Sequence, residues 1–354
     1  MTAVVSPDLE AVVSAEKPRT SRLVEIDALR GVAALAVVLF HYTTHFTKLF
    51  GASPPPTISF SMGHYGVNLF FIISGFVIFM TLEKTLRPMD FVVSRFSRLF
   101  PTYWVAIVLT FATTHLLGLP GKLVDVGTAF GNFIMIHGLF RVPHVDGVYW
   151  TLEVELLFYC GALCLFRLRR LGSIHHVLIG LLALRLVYFS LEREFGIELP
   201  WTVYRLLILR YIPWFALGIS IYHATCRGRS WQTPALSAGC AILTLLLTES
   251  LFSASLAAVL AATVFLAATE RLGVLRHRLF IWLGSISYPL YLLHENIGWS
   301  IQLRLQALDV PTDATVVLAL ATSLAMAAGL TRWVEQPALH WIRSRYRSRL
   351  AMNR

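Results

Sequence analysis

IDALRGVAALAVVLFH, residues 26–41, is the stretch on which the reading of the chain turns. It is an apolar run that carries one arginine, Arg30, and closes on one histidine, His41. On an α-helix their spacing amounts to three turns plus about 20°, so both side chains leave one face, roughly 16 Å apart along the axis. Gly31, Ala33, Ala34 and Ala36 leave room for a neighbouring helix to come close. Asp27 lies one turn before Arg30 and is placed to pair with it. Ionisable groups are costly at membrane depth and usually face a cavity that serves as a pathway or a reaction centre. The plainer alternative for this face is an Asp–Arg anchor at the interface and a histidine bonded to a neighbouring helix.

The rest of the chain supports a membrane setting. Of its 354 residues 56% are hydrophobic and 14% charged, against about 25% charged in soluble domains. Long apolar runs recur at 24–47, 65–83, 101–118, 148–166, 174–192, 201–224, 234–250, 254–270, 279–303 and 313–333. The expected fold class is all-α: a polytopic helical membrane protein with about ten transmembrane helices and both termini cytoplasmic. The positive-inside rule sets this orientation. Basic clusters such as Arg95 and Arg98, Arg167 to Arg170, Arg271 to Arg278 and Arg343 to Arg349 then fall on one side, and Lys48, Lys122, Arg141, Arg193 and Arg304 on the other. Counting the apolar segment 124–140 as a span inverts every later loop, so it is read as re-entrant or as a helix in the outer interface. The net charge of +10 is spent on this orientation and is not a nucleic-acid signal.

Residues 1–22 are polar, with Pro7 and Pro18 and no apolar core. They are expected to be a disordered cytoplasmic tail and not a cleavable signal. Residues 23–335 then form the transmembrane domain and 336–354 a basic cytoplasmic tail. Cys160, Cys164, Cys226 and Cys240 fit neither a zinc site nor a disulfide framework and are read as packing residues. No metal site is expected.

Four further constellations carry chemistry. Residues 89–100, MDFVVSRFSRLF from Met89, read as an interfacial helix before a span opening at Pro101, with Arg95 and Arg98 one turn apart. With Arg30 they put three guanidiniums at one mouth, which suits phosphate oxygens or, alternatively, anionic lipid headgroups. In VYWTLEVELLFY, 148–159, Glu153 and Glu155 point to different sides of a helix, so at most one readily faces His41; Glu153 is read as the one that snorkels. In LGSISYPLYLLHEN, 283–296, His294 and Glu295 follow a serine- and tyrosine-lined helix kinked by Pro289, either a cavity wall or a wet packing seam. Arg205 and Arg210 are expected to snorkel, Arg185 lacks an obvious partner, and Asn68 reads as one buried amide in a tight helix seam.

At these residues the chain resembles the membrane-bound acyltransferase 3 family, in order along nearly its whole length. IDALRGVAALAVVLFH carries Arg30 and His41 at the family's spacing. GVNLFFIISGF, 66–76, matches the second-span motif with Asn68 where many members have Asp. SRFSRLFPTYW, 94–104, matches the paired-arginine motif, WTLEVE, 150–155, a motif whose glutamate falls on Glu155, and LGSISYPLYLLH, 283–294, a late motif ending on His294.

The resemblance implies transfer of an acyl group, usually acetyl, from cytosolic acyl-coenzyme A to a carbohydrate hydroxyl at the outer face. The acceptor is then an exopolysaccharide, lipopolysaccharide or oligosaccharide at the bacterial cytoplasmic membrane. The chain looks closer to the stand-alone exopolysaccharide and lipo-oligosaccharide O-acetyltransferases than to the relatives that carry an esterase-like domain. Arg30, Arg95 and Arg98 are expected to hold the donor's phosphates, and His41 to act as general base or as acyl carrier. Glu155 is expected to orient His41, and His294 to hold the acceptor or the oxyanion. The competing reading is a proton-coupled transporter of a glycan or lipid, which buried His, Glu and Arg also suit.

Overall fold

The computed structural model describes residues 23–52, 54–226 and 230–352. Every regular element among them is helical, as a bilayer requires of segments that must satisfy their own backbone. The helices are α1 Val24–Leu39, α2 Phe46–Phe50, α3 Gly66–Glu83, α4 Pro88–Leu117, α5 Val126–Asn132, α6 Trp150–Arg167, α7 Ile174–Phe195, α8 Trp201–Leu207, α9 Ile212–Thr225, α10 Gln232–Thr248, α11 Leu251–Ala268, α12 Arg278–Leu293, α13 Glu295–Gln306, α14 Thr312–Leu330 and α15 Gln336–Met352. Seven helical segments of the described residues are long and apolar enough to cross a bilayer; α10 and α12 are apolar but shorter. The chain is thus an all-helical, multi-pass membrane protein. The tail 1–22 and the basic residues Arg227, Arg229 and Arg354 lie outside the described residues.

Several boundaries differ from those read in the sequence. Residues 89–100 and the third apolar run form one continuous helix, α4, with Pro101 inside it. Pro101 does not start a new element because neighbouring helices can satisfy the backbone it frees. The run 279–303 is instead two helices that meet at His294. The run 201–224 is likewise broken, between α8 and α9, with Ile208 in the left-handed region. The segment 124–140 is not a span: it is the short α5 and a tight turn at His137–Phe140. Asn132 binds it together, donating to the carbonyls of Thr128 and Pro143 and accepting from the Val145 amide. Tyr103 and Trp104 of α4 donate to its Asn132 and Phe133 carbonyls.

The residues from Gln336 continue the last membrane helix through a wide turn at Thr331–Glu335 and are helical to Met352. Arg343 ties α15 back to α4, donating to Ser97 Oγ at 3.2 Å and to the Ser94 carbonyl at 3.2 Å, and Tyr346 donates to Asp90 at 2.8 Å.

Helix α1 lies at the centre, against α12 on one side and α3 on another. The α1–α12 seam is set by two glycines. A Cβ on Gly31 would overlap the backbone of Leu283 and Gly284, and one on Gly284 would overlap the Asp27 carbonyl. Between lipid-embedded helices such close approach supplies van der Waals contact that solvent exclusion cannot. Around this seam Ile26, Leu29, Val37, Ile72, Phe79 and Phe215 are buried, and the Phe71 and Phe215 rings bring α3 against α9 at 5.0 Å.

The Cys residues are not all core residues. Cys160 and Cys164 are exposed, Cys226 and Cys240 partly buried, and all four are free thiols.

Gly31→Val and Gly284→Val are each expected to cost about 1–3 kcal/mol by overpacking the seam. Gly161→Val, where an added Cβ meets open space, should stay within about 0.5 kcal/mol. Thermal melting of the detergent-solubilised chain followed by size-exclusion chromatography reads the difference; equal melting of all three variants would show that the seam is not close-packed.

Candidate active site

The first site feature is a wide helical turn. After Leu39 the chain enters a π-turn, Phe40–His45, before α2 completes the helix. Such turns loosen the regular ladder and recur at functional sites. Here the carbonyls of the turn are taken by α13. Trp299 Nε1 donates to the His41 carbonyl at 3.0 Å, and Gln302 Nε2 to the Tyr42 carbonyl at 3.1 Å. Tyr42 in turn donates to the His294 carbonyl at 2.7 Å and sits 2.6 Å from Ser323 Oγ on α14. The turn and the α12–α13 break therefore hold each other.

His41 is fixed by these neighbours. Its Nδ1 lies 2.9 Å from the Val37 carbonyl and 3.2 Å from Nε2 of His294, whose own Nδ1 lies 2.9 Å from the Tyr291 carbonyl. A carbonyl only accepts, so the network assigns a proton to Nδ1 of each ring. His294 Nε2 is then an acceptor for His41 Nδ1–H, and His41 Nε2 keeps its lone pair. That nitrogen faces Glu295 Oε2 at 3.4 Å and a cavity of about 640 Å³.

The cavity wall also holds His45, Asn68 and Lys122. Lys122 stands over the Trp299 ring at 5.3 Å. Asp146 closes the wall from behind: it accepts from the amides of Val148 at 3.2 Å and Asn296 at 3.1 Å, fastening the 145–148 turn to the start of α13. Gly147 lies so close to Glu295 that any Cβ there would overlap its carboxylate.

A second cavity, of about 60 Å³, lies toward the other end of α1. Arg30 of α1 and Arg95 and Arg98 of α4 line it with Ser74, Glu155, Tyr159 and Tyr288. Glu155 accepts from Ser74 Oγ at 2.8 Å and from Tyr159 OH at 2.5 Å. Arg98 stands beside Arg30 with Glu335 and Asp27 within electrostatic reach. Arg95 Nε is buried without a partner, a donor left for something that enters. The two cavities share Val67, Phe71 and Tyr291 in their walls, so the arginine cavity and the His41 cavity abut at one narrow waist.

The structure thus brings together Arg30, Arg95 and Arg98 at one place, and His41 and His294 at another. Glu155 belongs with the arginines and does not orient His41; Glu295 occupies that position. His294 lines neither cavity. It is wholly buried behind His41, placed to fix a tautomer and not to hold an acceptor or an oxyanion. Glu153 does not snorkel: it is 1% exposed and paired with Arg205 at 2.9 Å. Arg185 finds Thr248 Oγ1 at 3.0 Å and Glu249 at 3.5 Å. Asn68 lines the His41 cavity and is not sealed in a helix seam.

Sequence reasoning singles out Glu295 beside His294 in the stretch 283–296 but gives it no role at His41. It misses Asp146 and Lys122, which carry no signal beyond lying in polar loops.

Comparison with known proteins gives the family. A family model described as an acyltransferase domain, that of the acyltransferase 3 family, matches residues 23–331. The chain belongs to this family. "Protein 2 in picA locus" of Rhizobium radiobacter is 33% identical over 136 residues, 34% of this chain and 65% of that protein. "Exopolysaccharide production protein ExoZ" of Rhizobium meliloti (strain 1021) is 28% identical over 182 residues, 48% of this chain and 55% of that protein. The chain therefore spans less than two thirds of the length of these curated relatives. No solved structure matches it.

Beyond the membrane helices, His137 Nε2 and His144 Nδ1 approach to 2.6 Å in the 124–146 segment. Burial, then the Arg205 cation, holds His144 down to about 4; burial, then His144 and Arg205, holds His137 down to about 3. The unfolded chain takes up these protons near the ordinary value of 6.5. Their contribution to stability is therefore present above that value and is lost as pH falls toward the folded values. The melting temperature in detergent should drop between about pH 7 and about pH 4.5, with a shallower slope for His144→Gln; an unchanged slope in that variant would remove the pair as the cause.

Proposed function

We propose that this chain is an integral-membrane O-acyltransferase of the bacterial cytoplasmic membrane. It moves an acyl group, acetyl in the first instance, from cytosolic acyl-coenzyme A to a hydroxyl of a carbohydrate on the opposite face. One observation carries the reading: a three-arginine cavity abuts a cavity into which His41 turns Nε2, with Glu295 beside it. Arginines match the donor's phosphates in bidentate geometry. The rise from Arg30 to His41, about 16 Å along a helix, matches an extended pantetheine arm reaching the waist. The basic loops at the arginine end support its facing the cytosol. The likeness to an exopolysaccharide production protein supports exopolysaccharide as the acceptor.

In this reading the acceptor hydroxyl gives its proton to His41 Nε2 as its oxygen attacks the thioester carbonyl. His294 and the Val37 carbonyl hold the ring so that Nε2 stays the basic atom. The imidazolium that forms is stabilised by the Glu295 carboxylate beside it. Collapse of the tetrahedral intermediate breaks the carbon–sulfur bond, and the imidazolium returns its proton to the leaving thiolate.

Purified protein given acetyl-coenzyme A and the surface polysaccharide of its host tests the proposal. His41→Ala should insert normally and lose transfer altogether. Glu295→Gln should lower kcat by about 10²–10⁴ with donor KM little changed. Arg98→Ala should raise donor KM about tenfold at nearly constant kcat, the loss of one charge-assisted phosphate contact. Full acylation by a correctly inserted His41→Ala protein would falsify the catalytic assignment. Flux of a glycan into liposomes with no consumption of acetyl-coenzyme A would favour a transporter instead.

A further inference from the structure

The His41 cavity does not end at the membrane helices. It shares Trp150, Arg210 and Tyr211 with a second hollow of about 200 Å³. That hollow shares Trp201 and Arg205 with a third, of about 370 Å³, which opens beside Arg141. Together they make a groove running from the reactive histidine over α8 to the 138–144 turn.

Two kinds of surface line it. The first is aromatic: the Trp150 and Tyr211 rings lie 5.4 Å apart at 33°, and Trp201 is exposed further out. The second is cationic. Arg205 stands over the Trp201 ring at 5.1 Å, with its Nε spent on Glu153. Arg141 and Arg210 are exposed, and no hydrogen bond or ion pair to either is found among the described residues. Among the described residues the only carboxylate lining the two outer hollows, Glu153, is already paired, and Glu249, which lines the inner cavity with Arg210, is paired with Arg185 at 3.5 Å. The outer groove therefore carries uncompensated positive charge.

We infer that this groove binds an extended acidic saccharide, whose sugar faces lie on the aromatic rings and whose carboxylates meet Arg141 and Arg210. The inference rests on the acyltransferase reading and names the class of its acceptor. The C–H face of a pyranose is apolar and weakly positive, so it suits the electron-rich face of an aromatic ring. Planar guanidiniums accept carboxylates through two parallel bonds. A chain of rings filling all three hollows places one ring at His41 while its neighbours are held outside, which is how remote contacts orient a reacting hydroxyl. Anionic lipid would meet the same arginines, but its tails do not call for a line of ring faces leading to His41.

The probes are cellohexaose and its oxidised counterpart with a carboxylate on every ring, which share a backbone and differ in charge. Isothermal titration against the full chain in detergent micelles reads binding. The oxidised hexamer should bind about tenfold more tightly than the neutral one at low salt, the worth of one charge-assisted contact, and the ratio should shrink as salt is raised. Arg141→Gln and Arg210→Gln should each cut the ratio by about threefold, and Trp201→Ala should weaken both hexamers alike. Both arginines are exposed, so their replacement leaves the packed core intact.

Equal binding of the two hexamers overturns the inference, as does a ratio that the arginine double variant leaves unchanged. An unchanged ratio with lost retention of phosphatidylglycerol assigns the arginines to lipid and overturns it too. Acetyl-coenzyme A consumption is followed in the same preparations. Preference for the acidic hexamer without donor consumption removes the acyltransferase reading and keeps the saccharide groove. Donor consumption without preference keeps the enzyme and removes the groove.

Discussion

The His41 end of the molecule depends on one ring nitrogen being held so that the other turns to the cavity and Glu295. His41 Nδ1 is held by the Val37 carbonyl and by His294 Nε2. Neither partner would be in place without a defect in a helix. The π-turn lets His41 leave the regular ladder, and the α12–α13 break lets His294 lie behind it. Each defect exposes backbone groups that a bilayer cannot satisfy. Trp299, Gln302 and Tyr42 satisfy them across the interface, so the two irregularities are stable only as a pair.

That pairing requires helices that approach closely. Gly31 against Gly284 brings α1 and α12 into backbone contact, and in lipid this kind of fit is a main source of helix association. The same seam sets the depth of Arg30, one residue before the contact. A single packing interaction thus positions the cation at one end of α1 and registers the histidine at the other against its partners.

Charge is distributed along the resulting path in a way that a lipid-embedded protein can tolerate. The arginines cluster with Glu155, Glu335 and Asp27 nearby, and the two carboxylates behind His41 are offset by Lys122 and by amide donors. Burying one sign alone would be costly. Where compensation is missing, at Arg141 and Arg210, the groups reach the surface, and there a solute can supply the counter-charge.

The sequence by itself determined the class of the fold, because long hydrophobic runs report directly on lipid. It also determined that Arg30 and His41 leave one face of the first helix and that Arg95 and Arg98 lie one turn apart on α4, since helical spacing fixes which side chains share a face. Only the tertiary structure decided the carboxylate at His41. Glu155 was the reading from the motif, yet its helix turns it toward Ser74 and Tyr159. Glu295 reaches His41 because the chain breaks at His294, and that break is held by the bonds from Trp299 to the His41 carbonyl and from Tyr42 to the His294 carbonyl, each of which joins residues more than 250 apart in sequence. Glu153 shows the same limit: local pattern sends a carboxylate to the interface, but Arg205, on a helix two elements away, keeps it buried. Periodicity encodes direction within one helix; which partner waits there is a property of how the helices meet.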